Sequence, residues 1–406
     1  MREPWVRVIA DDLTGACDVG AALLPWPQPI VIESMDRSGA ALASAGEALS
    51  IRNTQSRTCA RDTAVARVRT ALGDVPAAHP GLVLKKIDTA LRGWLGAELD
   101  AAMDAVGADT ALVVPAIPEV GRTTVGGRQL IDGIPVDETA FARDPQNPVR
   151  DACVAAAIEA TSRRRARSVS TAEMRERGVP AAVARCRAEG ASVVVGDAAT
   201  DDDIACWVAG IVGDVATRTL VLVGSTGLAR GWRATCPSWM DGGGRAGAAP
   251  QPGHGVLVIA GSAHPATRAQ LEHLAAANVA TVVAVDGMDP ATAAARLHAG
   301  GTVCLVAPEG LVSGGSAAVL GAIAEVTLAV VERVRPAAMV LIGGETAFHV
   351  LGRLGHPRLQ VEGVPAPLVV RASVLDGLLA GMPLVTKGGS SGPPERLTQI
   401  VAEVRR

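Results

Sequence analysis

Short apolar runs that stop at a polar residue or a glycine recur from one end of this chain to the other. Val6–Ala10 stops at Asp11-Asp12, Leu82–Leu84 at Lys85-Lys86, and Ala111–Val114 at Pro115. Ser192–Val195 stops at Gly196-Asp197, and Thr219–Val223 at Gly224-Ser225. Alanine-rich stretches of helical length lie between them, among them Arg61–Leu72, Gly96–Val106 and Asp201–Val212. Strands of about five residues alternating with helices make βα units and a mostly parallel sheet. Such sheets bind ligands beyond the carboxyl ends of their strands, which is where these polar residues fall. Aromatic residues are only 2% of the chain, so alanine, valine and other small aliphatic side chains must fill the core.

The pattern breaks once. Between Cys236 and Gly255 it gives way to Pro237, Gly242-Gly243-Gly244, Gly247, Pro250, Pro252 and Gly253, a composition that links elements and forms none. A fresh series follows: Val256–Ala260, Thr281–Val285, Val303–Val306, Met339–Ile342 and Leu384–Thr386. At 406 residues the chain also exceeds what one core usually supports. The expected fold is therefore two α/β domains with mostly parallel sheets, residues 1–235 and 255–406, joined by a connector over 236–254. Gly126–Val136 departs from βα regularity and reads as a hairpin.

A net charge of −3 gives no electrostatic case for nucleic acid or an anionic membrane. The basic run Ser162–Arg167 is expected to be a solvated helix end. No stretch is long and apolar enough to suggest a membrane span, and the N-terminus lacks a signal-peptide core. Seven scattered cysteines, never spaced Cys-x-x-Cys, point to free thiols in a reducing cytoplasm. No cysteine–histidine spacing suggests a structural metal.

Of the 38 Lys+Arg residues only Lys85, Lys86 and Lys387 are lysine. A lysine kept in so arginine-rich a chain suits a place where a compact ammonium must meet a phosphate oxygen in a tight space. Lys85-Lys86 open Lys-Lys-Ile-Asp-Thr-Ala-Leu-Arg-Gly. Strand alternation puts Lys86 and Asp88 on one face and Lys85 on the other, with Arg92 available to clamp an acid. In Asp11-Asp12-Leu13-Thr14-Gly15 one carboxylate can cap the following helix, leaving the other to accept a proton or hold a metal. Asn53–Arg57 and Gly121-Arg122-Thr123-Thr124 each add an arginine with hydroxyl or amide groups. In the second half Gly261-Ser262, Gly343-Gly344-Glu345-Thr346 and Lys387-Gly388-Gly389 each follow an apolar strand. Such turns let backbone N–H groups approach phosphate oxygens. No P-loop is present, and no Gly-x-Gly-x-x-Gly follows the first strand, which argues against a dehydrogenase.

These segments resemble the four-carbon acid sugar kinases over essentially the whole chain. Ala10–Ala16, Lys85–Gly93, Pro115–Pro118 with Gly121–Thr124, Gly224–Ala229, Gly261-Ser262, Gly343–Ala347 and Thr386–Gly392 carry the likeness, in order and spacing. The resemblance implies a sugar-acid-binding domain, a nucleotide-binding domain and an active site in the cleft between them. It implies ATP with Mg²⁺, and phosphorylation of the terminal hydroxyl of threonate, erythronate or an oxo relative. By position it puts substrate on Asp11, Asp12, Arg57, Lys86, Asp88 and Arg92. ATP falls on Ser262, Gly343, Gly344, Glu345, Thr346, Lys387, Gly388 and Gly389. Asp12 is the expected general base with Asp88 second, and Lys387 or Lys86 offsets charge on the transferred group. Partners are then the sugar acid and ATP, with a homodimer as the candidate assembly.

Three departures from the family pattern stand out. Thr89-Ala90 replaces Ser-Thr, Gly388–Gly392 replaces a Ser-Gly-x-Phe-Gly turn, and Ala263-His264-Pro265 follows Gly261-Ser262 where serine or cysteine is usual. They keep a second expectation open, a sugar-acid sensor without kinase activity.

Overall fold

The computed structural model describes residues 5–36, 49–73, 75, 81–144, 146–213, 219–235, 252–308 and 315–405. The connector expected over 236–254 therefore lies, save its last three residues, outside the described residues. In chain order the strands begin with β1 (Trp5–Ala10), β2 (Val31–Ser34), β3 (Leu49–Asn53), β4 (Gly81–Lys86), β5 (Ala111–Val114) and β6 (Arg122–Val125). Next come β7 (Arg128–Ile131), β8 (Ile134–Pro135), β9 (Ala166–Val169), β10 (Val193–Gly196), β11 (Leu220–Gly224) and β12 (Val256–Ala260). The last are β13 (Thr281–Ala284), β14 (Thr302–Val306), β15 (Ala338–Ile342), β16 (Leu359–Ala366), β17 (Val369–Val374) and β18 (Pro383–Lys387).

The chain divides into two compact units, Met1–Ile30 with Ala41–Gly244, and Val31–Ala40 with Arg245–Arg406. The first holds parallel strands in the order β3-β1-β4-β11-β5-β10-β9. Strands β1, β4, β5, β10 and β11 are buried at every position, which is why their sequences are mostly apolar, with Arg7 and the lysine pair Lys85-Lys86 as the charged exceptions. Ala10 is level with Asn53 and Lys86, and Gly224 with Lys86 and Val114. Five strands thus finish along one line, and the residues that follow each run share one edge.

The hairpin expected over Gly126–Val136 is present. It is β7–β8, turning at Asp132-Gly133 with φ of 51° and 79°, and β6 adds a third antiparallel strand through the turn at Gly126-Gly127. The basic run follows a short helix, Val154–Glu159, but it is not a solvated helix end, since its last two residues open β9. Arg164 Nη2 lies 2.8 Å from Asp104, and Arg163 N donates to Asp100 Oδ2 at 2.9 Å. Those acids lie on the helix Leu95–Val106, so the run is neutralised within the unit.

The second unit orders its strands β13-β14-β12-β15-β18-β17-β16-β2. The first five are parallel; β17, β16 and β2 continue antiparallel. The β16–β17 hairpin was not legible as a strand pair, because bulges near Gly363 break its alternation and polar residues interrupt it. Nor was the place of β2 legible: Ile32 pairs with Leu359 and Val31 with Gln360, a partner more than 300 residues away. The core beneath these strands is aliphatic, with Val258, Val340 and Val385 packed on Leu274, Leu397 and Ile400.

Among the described residues no cysteine forms a disulfide, and no helix is long and apolar enough to cross a membrane.

Candidate functional sites on two strand edges

On the first unit's edge, Asp12 follows β1 and caps the helix Leu13–Ala22. Its Oδ1 accepts from Gly15 N at 3.0 Å and its Oδ2 from Thr14 Oγ1 at 2.8 Å. Asp11 instead accepts a two-pronged bond from Arg57, Nε to Oδ2 at 2.8 Å and Nη2 to Oδ1 at 3.0 Å. The same guanidinium reaches Asp12 Oδ1 at 2.8 Å. Neither aspartate is therefore left to an empty crevice, and Arg57 ties the end of β3 to the end of β1.

Strand β4 sends its two lysines to opposite faces, as alternation requires. Lys85 Nζ lies 2.7 Å from Glu98 Oε2, with both side chains buried, and Ser56 Oγ donates to the same oxygen at 3.0 Å. Lys86 Nζ donates to the Ile87 carbonyl at 2.8 Å beside Asp12. A Cβ added to Gly15 would lie 2.4 Å from Asp12 Oδ1 and 2.8 Å from Lys86 Nζ, so only glycine lets ammonium and carboxylate approach across the helix start.

Beyond β4, Arg92 Nε donates to Asp88 Oδ2 at 2.5 Å and Nη1 to Asp144 Oδ2 at 2.9 Å. Leu91 between them has φ 61°, a left-handed conformation that costs a branched residue about 1–2 kcal/mol. The contacts on both sides hold it there, a pattern that recurs at functional sites.

Burial pushes both Asp12 and Asp88 toward protonation, but their cationic neighbours win. Arg57, Lys86 and the Thr14 hydroxyl hold Asp12 below the usual carboxylate range. Arg92 and Arg57 hold Asp88 far below it. Both are carboxylates at neutral pH. Glu98 goes the other way: burial raises it, and Lys85 offsets only part of that while the nearby Asp11 adds to it.

The six residues expected here, Asp11, Asp12, Arg57, Lys86, Asp88 and Arg92, thus form one cluster. Sequence reading gave no role to Arg122, Phe141, Asp144 or Glu98, which the fold adds. Arg122 had a signal, an arginine in Gly121-Arg122-Thr123-Thr124. Asp144 had none, since it meets Arg92 across 52 residues.

On the second unit's edge, Ala260, Ile342 and Lys387 end neighbouring parallel strands at one level. The turns after them are therefore adjacent. Gly343 N donates to the Lys387 carbonyl at 2.8 Å and adopts φ 94°, open to glycine, before Gly344, Glu345 and Thr346 start the helix Gly344–Arg353. Thr267 Oγ1 donates to the Gly389 carbonyl at 2.7 Å, and a Cβ on Gly389 would stand 2.3 Å from Ser262 Oγ. Lys387 is 1% exposed, and its Nζ folds back to the Gly388 carbonyl at 2.7 Å. The turns bring Ser262, Gly343, Thr346 and Gly389 together through backbone and hydroxyl groups, with little charge.

The departures in these loops are absorbed locally. His264 Nδ1 accepts from Ala266 N at 3.2 Å and caps the helix Pro265–Ala276, while Ser391 Oγ donates to the Gly388 carbonyl at 3.0 Å.

Two family models match the chain in succession. Residues 6–232 match the family model described as a sugar-binding N-terminal domain, and residues 257–397 match a nucleotide-binding C-terminal domain. A D-threonate kinase of Salmonella typhimurium is 30% identical over 96% of this chain and 96% of its own. A 3-oxo-tetronate kinase of Methylobacterium radiotolerans is 30% identical over 89% and 93%. A D-erythronate kinase of Heliobacterium modesticaldum is 37% identical over 49% and 46%. The crystal structure of a Salmonella typhimurium LT2 protein superposes with a TM-score of 0.74 at 22% identity, covering 98% of each chain. At that identity it speaks for the fold alone.

Proposed function

This chain belongs to the family of four-carbon acid sugar kinases, and on that footing we propose that it moves the terminal phosphoryl group of ATP to the terminal hydroxyl of a four-carbon sugar acid. The acceptor is of the threonate, erythronate or oxo-tetronate type. The observation that carries the reading is the coexistence in one chain of a buried cluster of opposed charges on one strand edge and three adjacent glycine turns on another. The first suits a polyhydroxylated acid, the second a row of phosphate oxygens.

Phosphoryl transfer needs alignment and charge neutralisation more than covalent work. Asp12 spends its oxygens on the helix cap and on Arg57, so it organises the site. Asp88 has one oxygen on Arg92, and its other oxygen is the better placed to take the proton of the acceptor hydroxyl. Lys86, held beside Asp12, faces the same edge and offsets negative charge there. Arg57 bridges Asp11 and Asp12 and helps to hold Asp12 ionised. In the second unit Gly343, Gly389 and the helix start at Gly344 supply backbone donors, Ser262 and Thr346 supply hydroxyls, and Lys387 steadies its own turn.

Among the described residues no group of three or more His, Cys, Asp and Glu side chains stands ready for a metal. Mg²⁺ would arrive with ATP, because it keeps waters and takes phosphate oxygens plus one or two carboxylates. When bound, it neutralises charge on the phosphates. The proposed setting is the cytoplasm, and the proposed assembly, a homodimer, is open to sedimentation.

A screen of ADP release against threonate, erythronate and the 2- and 3-oxo-tetronates of both hands tests the reading. Turnover on at least one is expected. A protein stabilised against heat by a sugar acid but not by ATP–Mg²⁺ would instead be a sensor.

A further inference from the structure

We propose that Arg122, and not Arg92, anchors the carboxylate of the acceptor, with Phe141 holding its guanidinium plane. The inference rests on the functional reading above and names the group that makes the site select an acid.

Both arginines lie over one ring, that of Phe141. The guanidinium carbon of Arg92 is 4.9 Å from the Phe141 centroid and that of Arg122 is 5.5 Å. Their charges are answered very differently. Arg92 donates to Asp88 and Asp144, so its charge is already met by two carboxylates of the protein. Arg122 has no carboxylate within ion-pair distance among the described residues and no side-chain hydrogen bond, although only 8% of it is exposed. A guanidinium taken out of water without a counter-ion is expensive, and a site tolerates that when a ligand supplies the anion.

Field and backbone support the same role. Burial pulls Arg122 below its ordinary value, Asp88 and Asp132 return only part of that, and Arg92 adds to the fall. An incoming carboxylate would relieve this imbalance. The backbone of Arg122 is pinned on both sides: its N donates to the Ile117 carbonyl at 3.1 Å, and its carbonyl accepts from Ile117 N at 2.7 Å. With ring stacking below and a fixed backbone, the fork is pre-organised for two parallel bonds to a carboxylate. Asp88, whose field reaches Arg122, stands on the same cluster, so an acid held by Arg122 has its hydroxyls near the carboxylate proposed to accept the proton.

The test compares a four-carbon acid with its uncharged primary amide, using kcat/KM by ADP release and, separately, binding of the acid by calorimetry. Wild-type protein is expected to prefer the acid. Arg122→Gln should lower kcat/KM for the acid about 100-fold, as loss of one partner of a buried charge pair does, and leave the amide and the KM for ATP within threefold. Arg122→Lys keeps the charge without the fork and secures the test should the glutamine variant not fold. It should cut the preference for the acid about tenfold. An unchanged acid-to-amide ratio in a folded Arg122 variant overturns the anchor while the kinase reading stands. Wild-type protein that neither binds nor phosphorylates any four-carbon acid overturns both.

Discussion

The two strand edges solve similar problems with opposite materials. The edge built from β1, β3 and β4 is made of charged side chains tied to one another: Asp11 and Asp12 on Arg57, and Asp88 on Arg92 with Asp144 beyond. The edge built from β12, β15 and β18 is made of backbone, glycine and hydroxyls, and its lysine is folded into its own turn. A charged site fixes its geometry by mutual attraction and fails when one charge is removed. A backbone site fixes its geometry by close approach and fails when volume is added.

The largest effect expected from this contrast is on stability. Lys85→Ala strands Glu98 as a buried carboxylate without its partner, and should cost about 3–5 kcal/mol in denaturant unfolding. A loss near zero would mean that the first edge does not rest on this pair. Asp88→Asn comes next. Turnover should fall by about 10²-fold or more with KM for ATP unchanged; near-normal turnover would remove Asp88 from proton transfer.

Gly389→Ala probes the other edge by addition. Its Cβ would crowd Ser262, and overpacking of about 1–3 kcal/mol should raise the KM for ATP roughly tenfold and leave the KM for the acid alone. Equal effects on both constants would erase the division of labour.

The smallest effect is a flat one. Asp12 and Asp88 sit below their ordinary values, so they stay ionised and should put no limb on kcat/KM between about pH 5 and 8. Their contribution to stability follows the same sign: present above about pH 4, where the unfolded carboxylates titrate, and lost as pH falls toward the lower folded values. An acid limb near pH 6–7 would assign the proton acceptor to another group.

Much of this was legible because both edges are local in sequence. A strand that ends in Asp11-Asp12 or Gly343-Gly344 announces its own terminus, and alternation alone separated Lys85 from Lys86. The helices Arg61–Leu72 and Asp201–Val212 match their sequence-read bounds for the same reason. Two strand pairings escaped. The β16–β17 hairpin hides behind bulges, and β2 is defined by a partner distant in sequence. Within the site, the competition for Arg92 also escaped, since Asp144 carries no motif and arrives on a separate loop.

By itself the sequence determined the alternation of strand and helix, the break between two α/β series and the set of residues delivered to the strand ends. Those follow from local periodicity and from glycine, which act over a few residues. Tertiary structure alone decided how the charges pair. It gave Asp12 the helix cap and Asp11 the Arg57 fork, satisfied Arg92 with two carboxylates, and buried Arg122 against Phe141 without one among the described residues. Charge pairing depends on distances across long loops and on the burial that sets the cost of each ion, and neither quantity is written in local sequence.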